Sequence, residues 1–379
     1  MTTSPIGSIE EHFSNLVEPR VVGRSDHKLI DIVVIAICGV ICGAEGWTDI
    51  EQFGQVKEDW LRQFLELPSG IPSHDTFGRV FGRLDAEEFQ HCFASWVQAV
   101  FDITEGQVIA IDGKTARRSH DRVIGKDAIH MVNAWAAKNS IALGQVKTDD
   151  ESNEITAIPR LLKLLEIKGC IVTIDAMGCQ TEIAGQIIDQ GGDYVLQVKD
   201  NQKNLRQDIE DWFAYARQVG FKDMSYDYAR TVNKGHGRIE IRECWAIDDP
   251  LAFEYIRHYL GWKGLKTIAM VRRQRRIGNR VTEETAYYIS SLDGDATLIL
   301  TCSRQHWAVE NSLHWVLDVT FREDASRIRV GAAPQNFAVL RRIALNLLKQ
   351  ENSIKRSVRA KRMRAALDDD YLLKVLTSV

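Results

Sequence analysis

Two short apolar runs that each end in an aspartate constrain the fold of this chain most strongly. Residues 108–112 are Val-Ile-Ala-Ile-Asp, and residues 171–175 are Ile-Val-Thr-Ile-Asp. Continuous runs of this kind are typical of strands that are buried on both faces of a sheet. If the two strands are neighbours, Asp112 and Asp175 lie at one edge of the sheet, where both carboxylates still reach solvent.

Two ionised carboxylates at close range repel each other unless a cation lies between them. Oxygen ligands of this kind suit Mg²⁺ or Mn²⁺. The alternative is that Asp112 and Asp175 each cap the turn or helix that follows, because Asp is a favoured N-cap residue. The pair therefore predicts a divalent metal site, with capping as the open alternative for either residue.

Residues 105–200 alternate between strand and helix patterns in an order that predicts a ribonuclease-H-like core. In this order the first and fourth strands are parallel neighbours in a mixed α/β sheet, and helices cover the faces of the sheet. The predicted elements are strand 108–112, strands 129–137 and 141–147 in a hairpin, helix 155–165, strand 171–175, helix 180–190 and strand 194–198.

The rest of the chain divides into four further segments. Residues 1–104 predict a helical N-terminal domain, in which a short helix after Ser73 either reads DNA ends or packs in the core. Residues 201–290 predict a β-rich insertion, with a basic run at 272–276 between two strands. Residues 291–350 predict the second part of the core, and residues 351–379 a basic C-terminal tail.

Composition excludes several classes of protein. The seven cysteines form no Cys-x-x-Cys pair, so neither a zinc knuckle nor a disulfide framework is indicated. The N-terminus lacks the pattern of a signal peptide. The most apolar stretch, residues 32–44, is shorter than the roughly 20 residues that span a bilayer. We therefore expect a cytoplasmic protein that does not enter a membrane.

Charge is distributed unevenly along the chain. The formal net charge is −4, yet residues 261–379 carry 21 Lys and Arg against 12 Asp and Glu. A basic C-terminal third predicts a face that contacts phosphates, although solvated helices would have the same composition. The densest basic cluster lies at residues 355–364.

Glu310 is the best candidate for a third carboxylate. On a helix it shares one face with His306 and His314. An acid on such an apolar and aromatic stripe is costly to bury unless a metal offsets its charge. A salt bridge from Glu310 to Arg304 or Arg322 is the structural alternative. The rival third acids are Asp318, Glu323 and Asp324.

At these positions the sequence resembles the DDE transposases of bacterial insertion sequences, and most closely the H-repeat-associated proteins. The resemblance covers almost the whole chain. It implies a catalytic triad of Asp112, Asp175 and Glu310 in a ribonuclease-H-like core, with a β insertion before the Glu helix. The motifs that carry it lie at residues 43–47, 70–76, 111–115, 149–159, 175–180, 236–238 and 306–318.

The resemblance also implies an activity, a cofactor and partners. We expect metal-dependent cleavage at the ends of an insertion sequence and strand transfer into target DNA, with two Mg²⁺ or Mn²⁺ ions per active site. The partners are double-stranded DNA of the terminal inverted repeats and of the target, and a second copy in a homodimer when two ends are synapsed. The bound protein would lie on the bacterial nucleoid. The residues expected to hold DNA are Lys114, Arg117, Lys199, His236, Arg238, Arg304, His306 and His314.

The sequence departs from the pattern Tyr-x2-Arg-x3-Glu-x6-Lys of many related transposases. Those offsets around the Glu hold Ser303, His306 and Leu317, with Arg304 and His314 as candidate substitutes.

Three rival functions stay open. They are a ribonuclease-H-like nuclease without strand transfer, a domesticated DNA-binding protein that no longer cleaves, and a glycosidase with two carboxylates and no metal.

Overall fold

The computed structural model describes residues 5–21, 23, 25–101, 105–119, 128–149, 153–235, 237–250, 252 and 261–379. Within these residues nine strands form one mixed sheet. The strands are β1 (Val108–Thr115), β2 (His130–Ala136), β3 (Ile141–Lys147), β4 (Ile171–Ile174), β5 (Asp193–Val198), β6 (Tyr226–Gly235), β7 (Arg238–Ile247), β8 (Thr267–Ile277) and β9 (Arg280–Ser290).

The order along the sheet is β3-β2-β1-β4-β5-β9-β8-β7-β6. β1 pairs with β2 in antiparallel and with β4 in parallel orientation, which confirms the predicted ribonuclease-H-like arrangement. Ile111 pairs with Ile174, so Asp112 and Asp175 follow the last paired residues of β1 and β4. The predicted strand end at Asp112 is wrong, because β1 continues to Thr115 in its pairing with β2. Successive residues of β4 pack into two different apolar cores. Val172 lies in the larger core and Ile171 in the smaller one.

The β-rich segment extends the same sheet. β9 pairs with β5, and β8, β7 and β6 follow. The predicted position of Arg272 and Arg276 between two strands is wrong, because both lie within β8. β6 is exposed over most of its length, and so is the first half of β9. A ribbon with solvent on both faces has little apolar alternation, so the sequence pattern made its strands look shorter than they are.

The helices flank this sheet and form the N- and C-terminal parts. They are α1 (Gly7–Phe13), α2 (Leu29–Cys42), α3 (Trp47–Val56), α4 (Glu58–Leu61), α5 (His74–Arg83), α6 (Ala86–Val100), α7 (Glu154–Lys163), α8 (Thr181–Asp189), α9 (Lys203–Gln218), α10 (Ala296–His306), α11 (Trp315–Val319), α12 (Ala333–Gln350), α13 (Val358–Leu367) and α14 (Asp369–Leu376).

α12 is the central helix of the packing. It is buried along nearly its whole length and contacts α2, α5 and α6 as well as β3. The N-terminal helices therefore share one apolar core with the sheet, and that core runs from Ile6 to Leu376. The predicted domain boundaries stay predictions.

The C-terminal segment is folded rather than extended. α13 and α14 pack on each other and on α2 and α12. Lys361 and Arg362, which belong to the predicted basic cluster, are buried. Lys361 donates to the carbonyl oxygen of Leu348, and Arg362 donates to that of Val40. These two cations are therefore structural, while Lys355, by contrast, is exposed.

None of the described helices is by itself long and apolar enough to cross a bilayer. α2 and α3 reach that length and composition only together, and a bend of 95° separates them.

Candidate functional site

Asp112 lies within β1, opposite Asn133 of β2. Its side chain is 16% exposed, so the carboxylate is largely shielded from water but still accessible. Asp112 Oδ1 accepts a hydrogen bond from the backbone N–H of Gly113 at 2.9 Å. The strand fixes the position of this carboxylate because both neighbouring strands hold the backbone on either side.

Asp175 directly follows β4 and also begins a short 3₁₀ turn, Ala176–Gly178. Its carboxylate accepts from the backbone N–H of Met177 at 3.0 Å. The capping role that was left open for this residue is therefore real, and it coexists with a position at the sheet edge beside Asp112. Burial raises the pKa of Asp175, and the charge of Glu154 raises it further.

Glu310 begins a π-helical turn, Glu310–His314, between α10 and α11. The backbone N–H of Trp315 donates to the carbonyl oxygen of Glu310, five residues earlier. The predicted regular helix is wrong here, and so is the predicted burial of Glu310, whose side chain is 55% exposed. The wide turn holds one residue more than an α-helical turn, yet Glu310 and His314 still lie side by side.

Asp112, Glu310 and His314 converge on one point. Their ligand atoms lie within 4.8 Å of one another, which is close enough to hold a metal ion. His314 Nδ1 lies 3.6 Å from Asp112 Oδ2 and 3.6 Å from Glu310 Oε2. Asp175 is outside this closest group, but its charge acts on Asp112. The predicted Glu310 salt bridges to Arg304 and Arg322 are not formed among the described residues; the Glu310 carboxylate lies beside the His314 ring instead.

The electrostatics of this group fit a divalent cation. Burial, together with the charges of Glu310, Asp175 and Glu154, raises the pKa of Asp112 to about 8. Burial lowers the pKa of His314 to about 3, so its ring is neutral at pH 7. His314 Nε2 is buried and has no hydrogen-bond partner within the described part of the chain. Carboxylates that repel one another beside a neutral imidazole form a donor set that a bound cation would stabilise.

Glu154 is a fourth acid at this edge, and the sequence reasoning missed it. It is the first residue of α7, and its side chain is 13% exposed. Glu154 Oε1 accepts a hydrogen bond from His130 Nε2 at 2.7 Å. Its charge acts on both Asp112 and Asp175. A local signal for Glu154 is its position in the first turn of the helix that follows the hairpin. Glu is common in the first turn of any helix for electrostatic reasons, so this signal does not single out Glu154.

Lys114 was predicted to hold DNA, but the structure buries its ammonium group. The side chain is 7% exposed and pairs with three acids. This geometry favours a structural role, because the cation already has its partners. The three partners, at 2.6, 3.3 and 3.1 Å, are the rival third acids Asp318, Glu323 and Asp324.

The other predicted DNA contacts differ in exposure. His306 is half-buried; its Nδ1 lies 3.2 Å from Thr173 Oγ1, and desolvation lowers its pKa to about 4. Arg117 is exposed and pairs with Asp324 at 3.4 Å. Lys199 is exposed, and its charge acts on Asp175. His236 lies outside the described residues.

Arg238 and Arg304 line a groove of about 350 Å³ beside the π-helical turn, together with Arg242, Arg273 and Trp307. The guanidinium of Arg273 lies over the indole of Trp307, 5.5 Å from the ring centre. The Trp307 side chain is 45% exposed. Positive charge next to an accessible aromatic ring is typical of a path for a nucleic-acid strand.

The chain matches two protein-family models. The model described as "Transposase DDE domain" matches residues 96–347, and the model described as "DDE_Tnp_1-associated" matches residues 10–97. The H repeat-associated protein YhhI of Escherichia coli (strain K12) is 42% identical over 370 residues, which is 97% of each chain. The inactive transposase YbfQ of the same strain is 49% identical over 70 residues, or 18% of this chain and 83% of that protein.

A solved structure gives a more distant match. The cryo-EM structure of a piggyBac transposase synaptic complex with hairpin DNA is 12% identical and covers 96% of this chain and 76% of that one. The TM-score is 0.40.

Proposed function

The chain belongs to the Transposase DDE domain family, and on that premise we propose that it cuts DNA at the ends of an insertion sequence and joins them to target DNA. The convergence of Asp112, Glu310 and His314 carries this proposal. Asp112 is distant in the chain from Glu310 and His314, and an arrangement of metal ligands beside a basic groove is what phosphoryl transfer on DNA requires.

Asp112, Asp175 and Glu310 are the proposed catalytic carboxylates, and they would hold two Mg²⁺ or Mn²⁺ ions. When bound, such cations lower the pKa of the attacking hydroxyl and offset the charge that develops on the leaving oxygen. In cleavage, a water oxygen bonds to phosphorus, the bond to the 3′-oxygen breaks, the water releases a proton and the 3′-oxygen takes one up. In joining, the freed 3′-oxygen loses its proton and bonds to a phosphorus of target DNA, the bond from that phosphorus to the target 3′-oxygen breaks, and that oxygen takes up a proton.

The proposed partner is double-stranded DNA. Arg238 and Arg304 would contact the backbone in the groove beside Glu310, and Lys199 would contact it beside Asp175. Trp307 offers a surface on which an unpaired base could stack. Because one element has two ends, we propose that two copies of the chain act together when the ends are synapsed. The bound protein would then lie on the bacterial nucleoid.

The test is a cleavage assay on linear DNA that carries the element's own terminal repeats. We expect wild type to release a 3′-hydroxyl end in Mg²⁺ and to be inactive in EDTA. Asp112→Asn should reduce the rate by about 10³-fold, because charge stabilisation by a metal is worth several kcal/mol. Glu182→Gln changes an exposed acid on the neighbouring helix α8 and serves as the matched control.

The products separate this function from its rivals. Joining of the cut end to a second duplex supports a transposase, and cutting without joining in Mg²⁺ identifies a nuclease. DNA binding without cutting identifies an inactive relative, and activity that survives EDTA excludes the metal mechanism. If Asp112→Asn cuts at the wild-type rate, the assignment of the catalytic acid is wrong.

A further inference from the structure

We propose that a pocket beside β3 binds the base of a free nucleotide, by an edge of the base at which an amino group stands next to a ring nitrogen. The pocket has a volume of about 480 Å³, which is within the range of small-molecule sites. It shares no residue with the candidate metal site. The inference therefore goes beyond the proposed function and does not rest on it.

The pocket lies at one end of the sheet. β3 is the last strand on this side, and α12 covers part of its outer edge, where Asn346 both donates to and accepts from the backbone of Ala142 at 2.9 Å. Further along β3, residues of α6, α7 and α12 enclose the pocket. A ligand bound here would contact N-terminal, central and C-terminal parts of the fold.

Gln90 of α6 carries its terminal amide in the wall of this pocket. The residue is 6% exposed, and neither its Oε1 nor its Nε2 has a hydrogen-bond partner within the described part of the chain. A Cβ atom on Gly144 would lie 3.5 Å from Gln90 Nε2, so the amide lies against β3. A buried amide without partners destabilises a fold, and this one points to a ligand that supplies them.

Gln145 of β3 adds a second acceptor to the same pocket. Its Nε2 donates to the carbonyl oxygen of Gln335 at 3.3 Å, which fixes the orientation of the amide. Its Oε1 is buried and has no partner among the described residues. Together, Gln90 and Gln145 offer a ligand one N–H donor group and two carbonyl acceptors.

These groups select the chemistry of the ligand. The matching edge has one acceptor and two N–H donors. Adenine, cytosine and guanine have such an edge where an amino group stands next to a ring nitrogen, and glutamine side chains bind adenine in this way. Uracil has no amino group and would leave one carbonyl oxygen unpaired. A carboxylate has acceptors only, so it would leave both unpaired.

The walls of the pocket suit a flat ring. Met131, Val146 and Val339 contribute apolar side chains to the lining, and Met131 is 4% exposed. A thioether packs favourably against an aromatic ring. The apolar walls would therefore bury the faces of a base while the two glutamines bind its edge.

The rim of the pocket carries a cation that suits a phosphate. Lys163, the last residue of α7, is exposed and has no ion-pair partner within the described residues. The acids of the rim, Glu87 and Asp149, each lie 3.1 Å from a nitrogen atom of Arg160, which offsets their charges. A nucleotide could therefore place its phosphate at Lys163. An unpaired base of a DNA strand has the same edge, and the experiment separates these two sources.

The structural alternative is that ordered water satisfies both amides, as it does for many buried polar groups. Water would stabilise the fold equally well. It would not make the protein distinguish one base from another, so selectivity between bases separates the two roles.

The experiment is isothermal titration calorimetry of the full chain with AMP, in EDTA and without DNA. We expect one AMP per chain, and an affinity for UMP that is lower by about tenfold or more. Gln90→Met keeps the length of the side chain and removes both amide atoms, so it should weaken AMP by about tenfold or more. Gln207→Met changes an exposed glutamine of α9 and should bind AMP as wild type does.

The variant Gln90→Met should fold, because it replaces an amide without partners by an apolar chain. Thermal unfolding without nucleotide should give a Tm at or above that of wild type. Lys163→Gln should weaken AMP by about threefold or more and leave adenosine unchanged. A short single strand of deoxyadenosines should compete less well than AMP. Tighter binding of that strand would overturn the free nucleotide as the source of the base.

Two results would contradict the base site itself. One is equal binding of AMP and UMP, or wild-type affinity for AMP in Gln90→Met. The other is no binding of AMP, CMP or GMP, which would leave water as the occupant. Neither result bears on DNA cutting, because the titration contains neither metal nor DNA and the pocket is separate from the candidate metal site.

Discussion

Among single residues, Asp112 has the most unusual environment. It is an acid that the metal-free fold keeps from ionising, because burial and three neighbouring acids raise its pKa to about 8. Such a carboxyl group destabilises the fold when it ionises, and a bound cation would offset the repulsion between it and the neighbouring acids. Its protonation therefore links the stability of the protein to pH and to metal.

This link predicts a pH dependence with a definite sign. The pKa of Asp112 is higher in the folded state than the value near 3.9 of an unfolded chain, so the folded state binds the proton more tightly. Its contribution to stability is full below about pH 4 and is lost as the pH rises through about 8.

We expect Asp112→Asn to raise the free energy of unfolding of the metal-free protein at pH 8 by roughly 1 kcal/mol or more. At pH 4 the difference should be small. Urea unfolding in EDTA at the two pH values measures both. An equal effect at both pH values would contradict the raised pKa, and saturating Mg²⁺ should reverse the sign at pH 8.

The residues of the site differ in how visible they are in the sequence. Asp112 and Asp175 were predictable because an acid at the end of a buried strand is a local pattern. Glu154 was not, since only the packing of α7 on β2 and β3 brings its side chain next to β1. Lys114 follows the same strand, and its three acidic partners are more than 200 residues later in the chain. A local pattern contains no such pairing.

Among the elements, the π-helical turn Glu310–His314 shows the limit of periodicity. The pattern predicted an acid and two histidines on one helical face. The structure keeps Glu310 and His314 together beside Asp112, while the half-buried His306, which precedes the π-helical turn, lies against Thr173. No residue type marks a π-helical turn, so the sequence did not reveal where the extra residue of the turn lies.

A buried charge network ties the elements around the site together. Glu323, 3% exposed, pairs with Arg342 of α12 at 3.0 Å and with Lys114 of β1 at 3.3 Å. Although burial opposes ionisation, Arg342, Lys114 and Arg341 lower the pKa of Glu323 to about 2. Arg342 also donates to Asn133 of β2, opposite Asp112. The network therefore positions β1 against α12.

Glu323→Gln should destabilise the protein by about 3–5 kcal/mol, because it leaves buried cations without their partner. Urea unfolding at pH 7 measures this. The matched control is Glu58→Gln, which removes an exposed pair with Arg62 and should cost about 0.5 kcal/mol or less. A loss as small as that of the control would show that the network is not needed for stability.

At the scale of the whole molecule, α12 connects parts that the sequence made look separate. It contacts N-terminal helices on one side and β3 on the other. Composition and periodicity predicted the helical segment, the sheet and the β-rich segment, since each has its own local pattern. They did not predict that β9 would pair with β5, or that the C-terminal helices would pack on α2, because these contacts depend on the complete fold.

The central claim is that acids from separate parts of the chain form one divalent metal site. Anomalous scattering from crystals soaked in Mn²⁺ tests it most directly. The account predicts a peak within about 2.5 Å of carboxylate oxygens of both Asp112 and Glu310. Crystals saturated with Mn²⁺ that show no peak at Asp112 would contradict it.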